Sequence, residues 1–218
     1  MKKIIFLFSL VCITEIALSQ NTTQLYDSSF REVYKMLALH PGHRNSRGII
    51  FDSVVRRWDK DIKIFIEGGS ARSRREMMDK LKNTIAIISP ALDNKIRISF
   101  VDDKASANYL VNIGTTGTSG WYLKWDGLNN IYSCQLLINT KTIFNGDQQL
   151  ALLSHYFLQS LGDFVFTPNA PVVVSNMRLW RQDINDLDLR ILKLHYSSDI
   201  RPGMAKKDLD QFFDEHDK

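Results

Sequence analysis

Alternation of apolar and polar residues marks five short stretches of the chain as β-strands. In each stretch about every second side chain is apolar, and many of these are β-branched, which is the pattern of a strand with one buried face. Residues 126–130, between the last two stretches, have the Asp-Gly composition of a tight hairpin turn. The five predicted strands are residues 61–67, 95–101, 109–113, 121–125 and 131–138.

Four other stretches carry apolar residues at helical spacing. They are residues 30–39, 71–88, 147–161 and 184–196. Ser70 is the predicted N-cap of the second helix, and Gly162 stands after the third, where a left-handed C-cap residue is expected. Strands and helices follow one another without repeats or low-complexity linkers, so the pattern predicts one α+β domain.

The first residues are typical of a cleavable signal peptide. Two lysines precede an apolar run over 4–12, and Ala17 and Ser19 are small residues at the positions that a signal peptidase reads. Glu15 ends the apolar stretch short of the roughly 18 residues that a membrane span needs. We therefore expect cleavage after Ser19, export to the periplasm or the cell exterior, and no membrane span in the mature chain.

Charge and cysteine content argue against a nucleic-acid partner, an intramolecular disulfide and a reactive thiol. The formal net charge of the chain is only +4, which is too mild to indicate a nucleic-acid partner. Cys12 lies in the predicted signal peptide, so Cys134 would have no intramolecular disulfide partner. Because Cys134 falls in a predicted strand, a buried and inert thiol is expected there.

The predicted third helix contains part of a zinc-protease motif. Helical zinc sites follow H-E-x-x-H, which metzincins extend to H-E-x-x-H-x-x-G-x-x-H. His155 and Gly162 match the first ligand and the glycine of that template. Tyr156 replaces the catalytic base, Gln159 the second ligand and Val165 the third. The chain thus resembles a metzincin scaffold that has lost most of its zinc chemistry.

Other segments extend the resemblance over roughly residues 58–196. Trp58 with residues 61–64 resembles the entry into the metzincin sheet, and residues 106–111 resemble one of its strands. Met177, in Ser-Asn-Met, resembles the Met-turn whose side chain lies under the metal, and residues 183–196 resemble the closing helix. The resemblance implies a mixed sheet with a long backing helix, a former zinc helix and a C-terminal helix.

A family of exported bacterial proteins of unknown function is more similar still. Its members also have Gln at the second ligand position, like Gln159, and a Pro-Gly-Met stretch like residues 202–204. The family often keeps Glu beside the first His, whereas this chain has Tyr156. Together with the predicted signal peptide (1–19), the resemblance divides the chain into an N-terminal extension with a helix (20–57), a metzincin-like domain (58–204) and a charged tail (205–218).

We therefore expect an inactive, peptidase-like binding domain for an extended peptide or protein segment, with no catalytic residue, metal or other cofactor. His155 would be a neutral imidazole that forms a hydrogen bond with Gln159 or a backbone carbonyl. The remnant-site candidates are His155, Tyr156, Gln159 and Met177. The cluster of Trp121, Tyr122 and Trp125 would either serve binding or belong to the core.

Two alternatives stay open. One is a hydrolase with zinc in a rearranged site around His155, and the other is a structural envelope protein. A rearranged site would need two further ligands to converge on His155, since zinc uses three protein ligands at about 2 Å. The candidates for such ligands are His40, His43, Asp163, His195 and His216.

Overall fold

The computed structural model describes residues 26–39, 52–143, 145–165 and 183–216. Several predicted features lie outside these ranges: the signal peptide over 1–19, His40 and His43, and the Met-turn at Met177.

A mixed six-stranded sheet forms the centre of the described structure. Strands β1, β6, β4, β2 and β3 are parallel and neighbour one another in that order, while β5 pairs antiparallel with β6. The strand bounds are β1 Arg57–Trp58, β2 Ile62–Gly68, β3 Ile98–Phe100, β4 Tyr109–Gly114, β5 Gly120–Trp125 and β6 Asn130–Asn139.

Buried and more exposed side chains alternate along the central strands. In β2 the three isoleucines are buried, whereas Lys63 between them is exposed. The same alternation recurs in β4 and β6, so the apolar residues of neighbouring strands form one continuous buried face. Strand β3 is shorter than the predicted 95–101, because only Ile98–Phe100 pairs with β2.

Five α-helices accompany the sheet among the described residues. They are α1 Ser28–Ala38, α2 Ala71–Ile88, α3 Gly146–Ser160, α4 Asp186–His195 and α5 Lys206–Glu215. Ser70 caps α2 as predicted, since its hydroxyl accepts a hydrogen bond from the Ser73 amide. The long helix α2 contacts β2, and α3 contacts both α2 and β6. The predicted α+β class is confirmed.

Residues 206–215, predicted to belong to a charged tail, instead form α5. Leu209, Phe212 and Phe213 are spaced along one face of this helix and are buried. The face packs against α1 and against Tyr26, two residues before it, with the Tyr34 and Phe213 rings 6.2 Å apart and those of Tyr26 and Phe212 5.9 Å apart. The segment is therefore an amphipathic helix, although most of its residues are charged or polar.

Among the described residues, no helix combines the length and the apolar composition needed to cross a membrane.

Candidate functional site

Helix α3 places the segment that resembles a zinc motif in the core of the protein. Asn145 caps the helix by accepting hydrogen bonds from the Asp147 and Gln148 amides. The helix then runs against β6, β5 and α2. Its second half, which holds the motif, is buried from His155 to Ser160.

His155 and Gln159 lie one turn apart on this helix, and both are buried. Their exposed fractions are 0% and 1%. The Nε2 atom of His155 and the Oε1 atom of Gln159 form no hydrogen bond with a described residue. Of the two partners predicted for His155, the Gln159 side chain is therefore not engaged through these atoms, and the backbone carbonyl stays a prediction.

Tyr156 fills the position that glutamate has in an active zinc helix. Its ring packs against Trp121 of β5 with 5.4 Å between centroids, and its hydroxyl donates to the Ser119 carbonyl at 3.3 Å. Burial raises the pKa of the Tyr156 hydroxyl, so it stays protonated at neutral pH. The side chain thus ties α3 to the start of β5 and offers no carboxylate.

The other residues of the template also have structural partners. The Val165 amide donates to the Leu37 carbonyl at 3.0 Å and connects the end of the motif to α1. Of the candidate additional ligands, Asp163 forms an ion pair with Arg56, and the Nδ1 atom of His216 lies 2.8 Å from the Phe212 carbonyl oxygen. Within the described ranges, no group of three His, Cys, Asp or Glu side chains could hold a metal ion.

His195 belongs to a second buried cluster at the end of α4. Its Nδ1 atom lies 3.1 Å from the Tyr34 hydroxyl, and its Nε2 atom lies 3.1 Å from the Arg56 carbonyl oxygen. Burial, with a smaller contribution from the positive charge of Arg57, lowers the pKa of His195 to about 3. The imidazole is therefore neutral and connects α1 to the segment before β1.

Gly162 adjoins the same cluster and is not the predicted left-handed C-cap. Leu161 caps α3 in a right-handed conformation, and Asp163, with φ of 50°, takes the left-handed one. A Cβ atom on Gly162 would lie 2.7 Å from Nε2 of His195 and 2.5 Å from Cζ of Phe164. Glycine is required there because two side chains approach the backbone closely.

A buried arginine that the sequence pattern did not indicate lies beside Asp163. Only 3% of Arg56 is exposed, and its guanidinium lies 4.4 Å from the centre of the Trp125 ring and 3.3 Å from Oδ2 of Asp163. The local pattern does not predict that Arg56 is buried, since the adjacent Arg57 has the same charge and is only partly buried. Nothing in the local sequence distinguishes the buried arginine from its neighbour.

Cys134 is buried on β6, as predicted. Its thiol lies near the hydroxyls of Tyr109 and Ser160, which are 2.8 Å apart, and burial raises the pKa of the thiol to about 12. A thiol with this pKa is not a nucleophile at neutral pH.

The aromatic cluster of β5 divides between core and surface. Trp121 packs on Tyr156 and Trp125 on Arg56, whereas 62% of Tyr122 is exposed. Only Tyr122 of the three presents most of its side chain to solvent.

Comparison of the chain with models of known protein families, and with curated proteins, found no match.

Proposed function

We propose that this chain is an exported, peptidase-like protein that binds an extended peptide or protein segment without cutting it. The observation that carries the proposal is the packing of Tyr156, whose ring lies on Trp121 where a metzincin needs a glutamate. A phenol held in this way cannot take a proton from a metal-bound water at neutral pH.

The replaced ligands support the same conclusion. Catalytic zinc sites use three protein ligands with an open position for water. Gln159 offers a neutral amide, which is a weak zinc ligand beside imidazole or carboxylate, and Val165 offers none. A mixed sheet with the long helix α2 and the helix α3 against it is the arrangement that the resemblance to metzincins implies.

The outer edge of β5 is the surface that we propose for peptide binding. Among the described residues, β5 pairs only with β6. An unpaired strand edge offers backbone N–H and C=O groups to which an extended peptide can add as a further strand. Tyr122 and Lys124, both exposed on this strand, would contact side chains of the bound segment.

Metal analysis of the purified protein tests the absence of zinc chemistry. We expect no stoichiometric zinc and no change in the thermal unfolding temperature when a chelator is added. Stoichiometric zinc that is lost in His155→Ala, but kept in the control Lys207→Ala, would instead support the hydrolase alternative and refute the proposal. Lys207 is a suitable control because it is exposed on α5 and is not among the candidate zinc ligands.

Binding to an array of extended peptides tests the other half of the proposal. We expect Tyr122→Ala to weaken binding while the thermal unfolding temperature stays unchanged, because this side chain is 62% exposed. The matched control is Tyr132→Ala on β6, which is 46% exposed and does not lie on the β5 edge. If no peptide binds, the peptide-binding proposal fails and a structural envelope role becomes the better explanation.

A further inference from the structure

Arg56 is a buried cation at which three parts of the fold meet. It precedes β1, and its guanidinium donates to the Asp52 carbonyl at 2.9 Å and to Asp163 at 3.3 Å. The same group lies 4.4 Å from the centre of the Trp125 ring, at the end of β5. One side chain therefore connects the residues after α3 to the strand that we propose as the peptide-binding edge.

The surroundings of Asp163 make Arg56 its counter-charge. Cys134 on β6 interacts electrostatically with Asp163, and its thiol is neutral because burial raises its pKa to about 12. On α4, His195 approaches Gly162, the residue before Asp163, and this imidazole is neutral because burial lowers its pKa to about 3. The neighbouring Arg57 donates hydrogen bonds to the carbonyls of His195 and Ser197, and its guanidinium lies 5.9 Å from the centre of the Tyr196 ring.

Burial raises the pKa of Asp163 to about 6, and the positive charge of Arg56 offsets only part of that effect. The carboxyl therefore changes its charge within the range of mildly acidic environments. Because the pKa is higher in the folded than in the unfolded chain, protonation of Asp163 favours the folded state. Protonation of Asp163 by itself therefore does not promote unfolding.

We propose that the Arg56–Asp163 pair is an acid-sensitive latch that holds Trp125 in place and so controls peptide binding at the β5 edge. Ionised Asp163 keeps the guanidinium buried against the indole ring. Protonated Asp163 leaves a buried cation without its counter-charge, which is costly enough to drive the guanidinium toward water. The control of binding rests on the proposed function, whereas the latch itself does not.

Tryptophan emission between about pH 5 and pH 8 tests the latch without any peptide. We expect a transition with a midpoint near pH 6 in the wild type. The transition should be absent in Trp125→Phe, which lacks the reporter, and in Asp163→Asn, which cannot ionise. The control Asp61→Asn, which removes an exposed ion pair with Arg97, should keep it. A wild type without a transition, or a transition that persists in Asp163→Asn, would overturn the latch.

Arg56→Lys provides a second test if Asp163→Asn does not fold. Lysine keeps the charge but loses the planar group that stacks on the indole ring, so the amplitude of the transition should fall. An unchanged amplitude would refute the latch.

Peptide binding measured at pH 7.5 and pH 5 then separates the latch from the proposed function. We expect the wild type to lose about three- to tenfold in affinity on acidification, the range that one aromatic contact contributes, and Asp163→Asn to show no such change. An emission transition without peptide binding at either pH refutes the binding function but supports the latch. Binding that does not depend on pH refutes the control of binding by the latch.

Discussion

Replacement of Gly162 by alanine tests how tightly the end of the motif helix packs. An ideal Cβ on this residue would lie 2.5 Å from Cζ of Phe164 and 2.7 Å from Nε2 of His195. Both rings are fully buried. The imidazole is also held at both nitrogens, by Tyr34 and by the Arg56 carbonyl, each at 3.1 Å. Neither ring can move away without losing contacts.

The expected cost follows from these contacts. Forcing an extra methyl group into a packed core costs about 1–3 kcal/mol. A shift of His195 would also weaken its hydrogen bonds, each worth about 0.5–1.5 kcal/mol. We therefore expect Gly162→Ala to lower the free energy of unfolding by about 2–4 kcal/mol, or the melting temperature by about 5–15 °C for a domain of this size.

Equilibrium unfolding in urea, followed by circular dichroism, measures this difference. Gly146→Ala is the matched control, since no atom lies within 4 Å of the Cβ position at this first residue of α3. Alanine there should be neutral or stabilising by up to about 1 kcal/mol. If the free energy of unfolding of Gly162→Ala lies within about 0.5 kcal/mol of the wild-type value, the close approach of His195 and Phe164 is not what requires glycine.

Three further outcomes follow from buried groups. Because folding lowers the pKa of His195 from its ordinary 6.5 to about 3, its neutral form contributes fully to the free energy of unfolding above pH 6.5. That contribution, on the order of 5 kcal/mol, is lost as the pH falls toward 3. In urea unfolding at pH 7 and pH 4, His195→Gln should reduce the pH dependence of the unfolding free energy, and the same dependence in variant and wild type would contradict the assignment. Phe213→Ala on α5 should cost about 3–5 kcal/mol in the same assay, whereas the exposed Lys207→Ala should cost less than about 0.5 kcal/mol, and equal effects would mean that α5 contributes nothing to the core. The Cys134 thiol should react with a thiol reagent only after unfolding, and rapid reaction of the native protein would show that the thiol is accessible.

Secondary structure was largely predictable from local pattern. Helix α2 begins after its predicted cap Ser70, and α3 covers all but one residue of the predicted 147–161. Capping and periodic burial depend on residues within a few positions of one another, so a single sequence displays them. The segment from Lys206 is predicted to be a charged tail because charges dominate its composition, and its Leu209, Phe212 and Phe213 at helical spacing are the buried face of α5.

Long-range contacts of the site were not predictable in the same way. The Tyr34 hydroxyl meets His195 across 161 residues, and Arg56 meets Asp163 across 107. Nothing local distinguishes Arg56 from Arg57, yet only the former is almost fully buried.

The sequence by itself determined that His155 and Gln159 share one helix face and that Tyr156 and Val165 stand where the zinc motif that the chain resembles has a base and a ligand. These statements need only helical spacing and the chemistry of side chains. The tertiary structure decided what surrounds that motif: Tyr156 packs on Trp121, Gly162 makes room for His195, and Asp163 pairs with Arg56. Such partners come from distant parts of the chain, and only packing selects among them, because burial and contact depend on where whole elements lie in space.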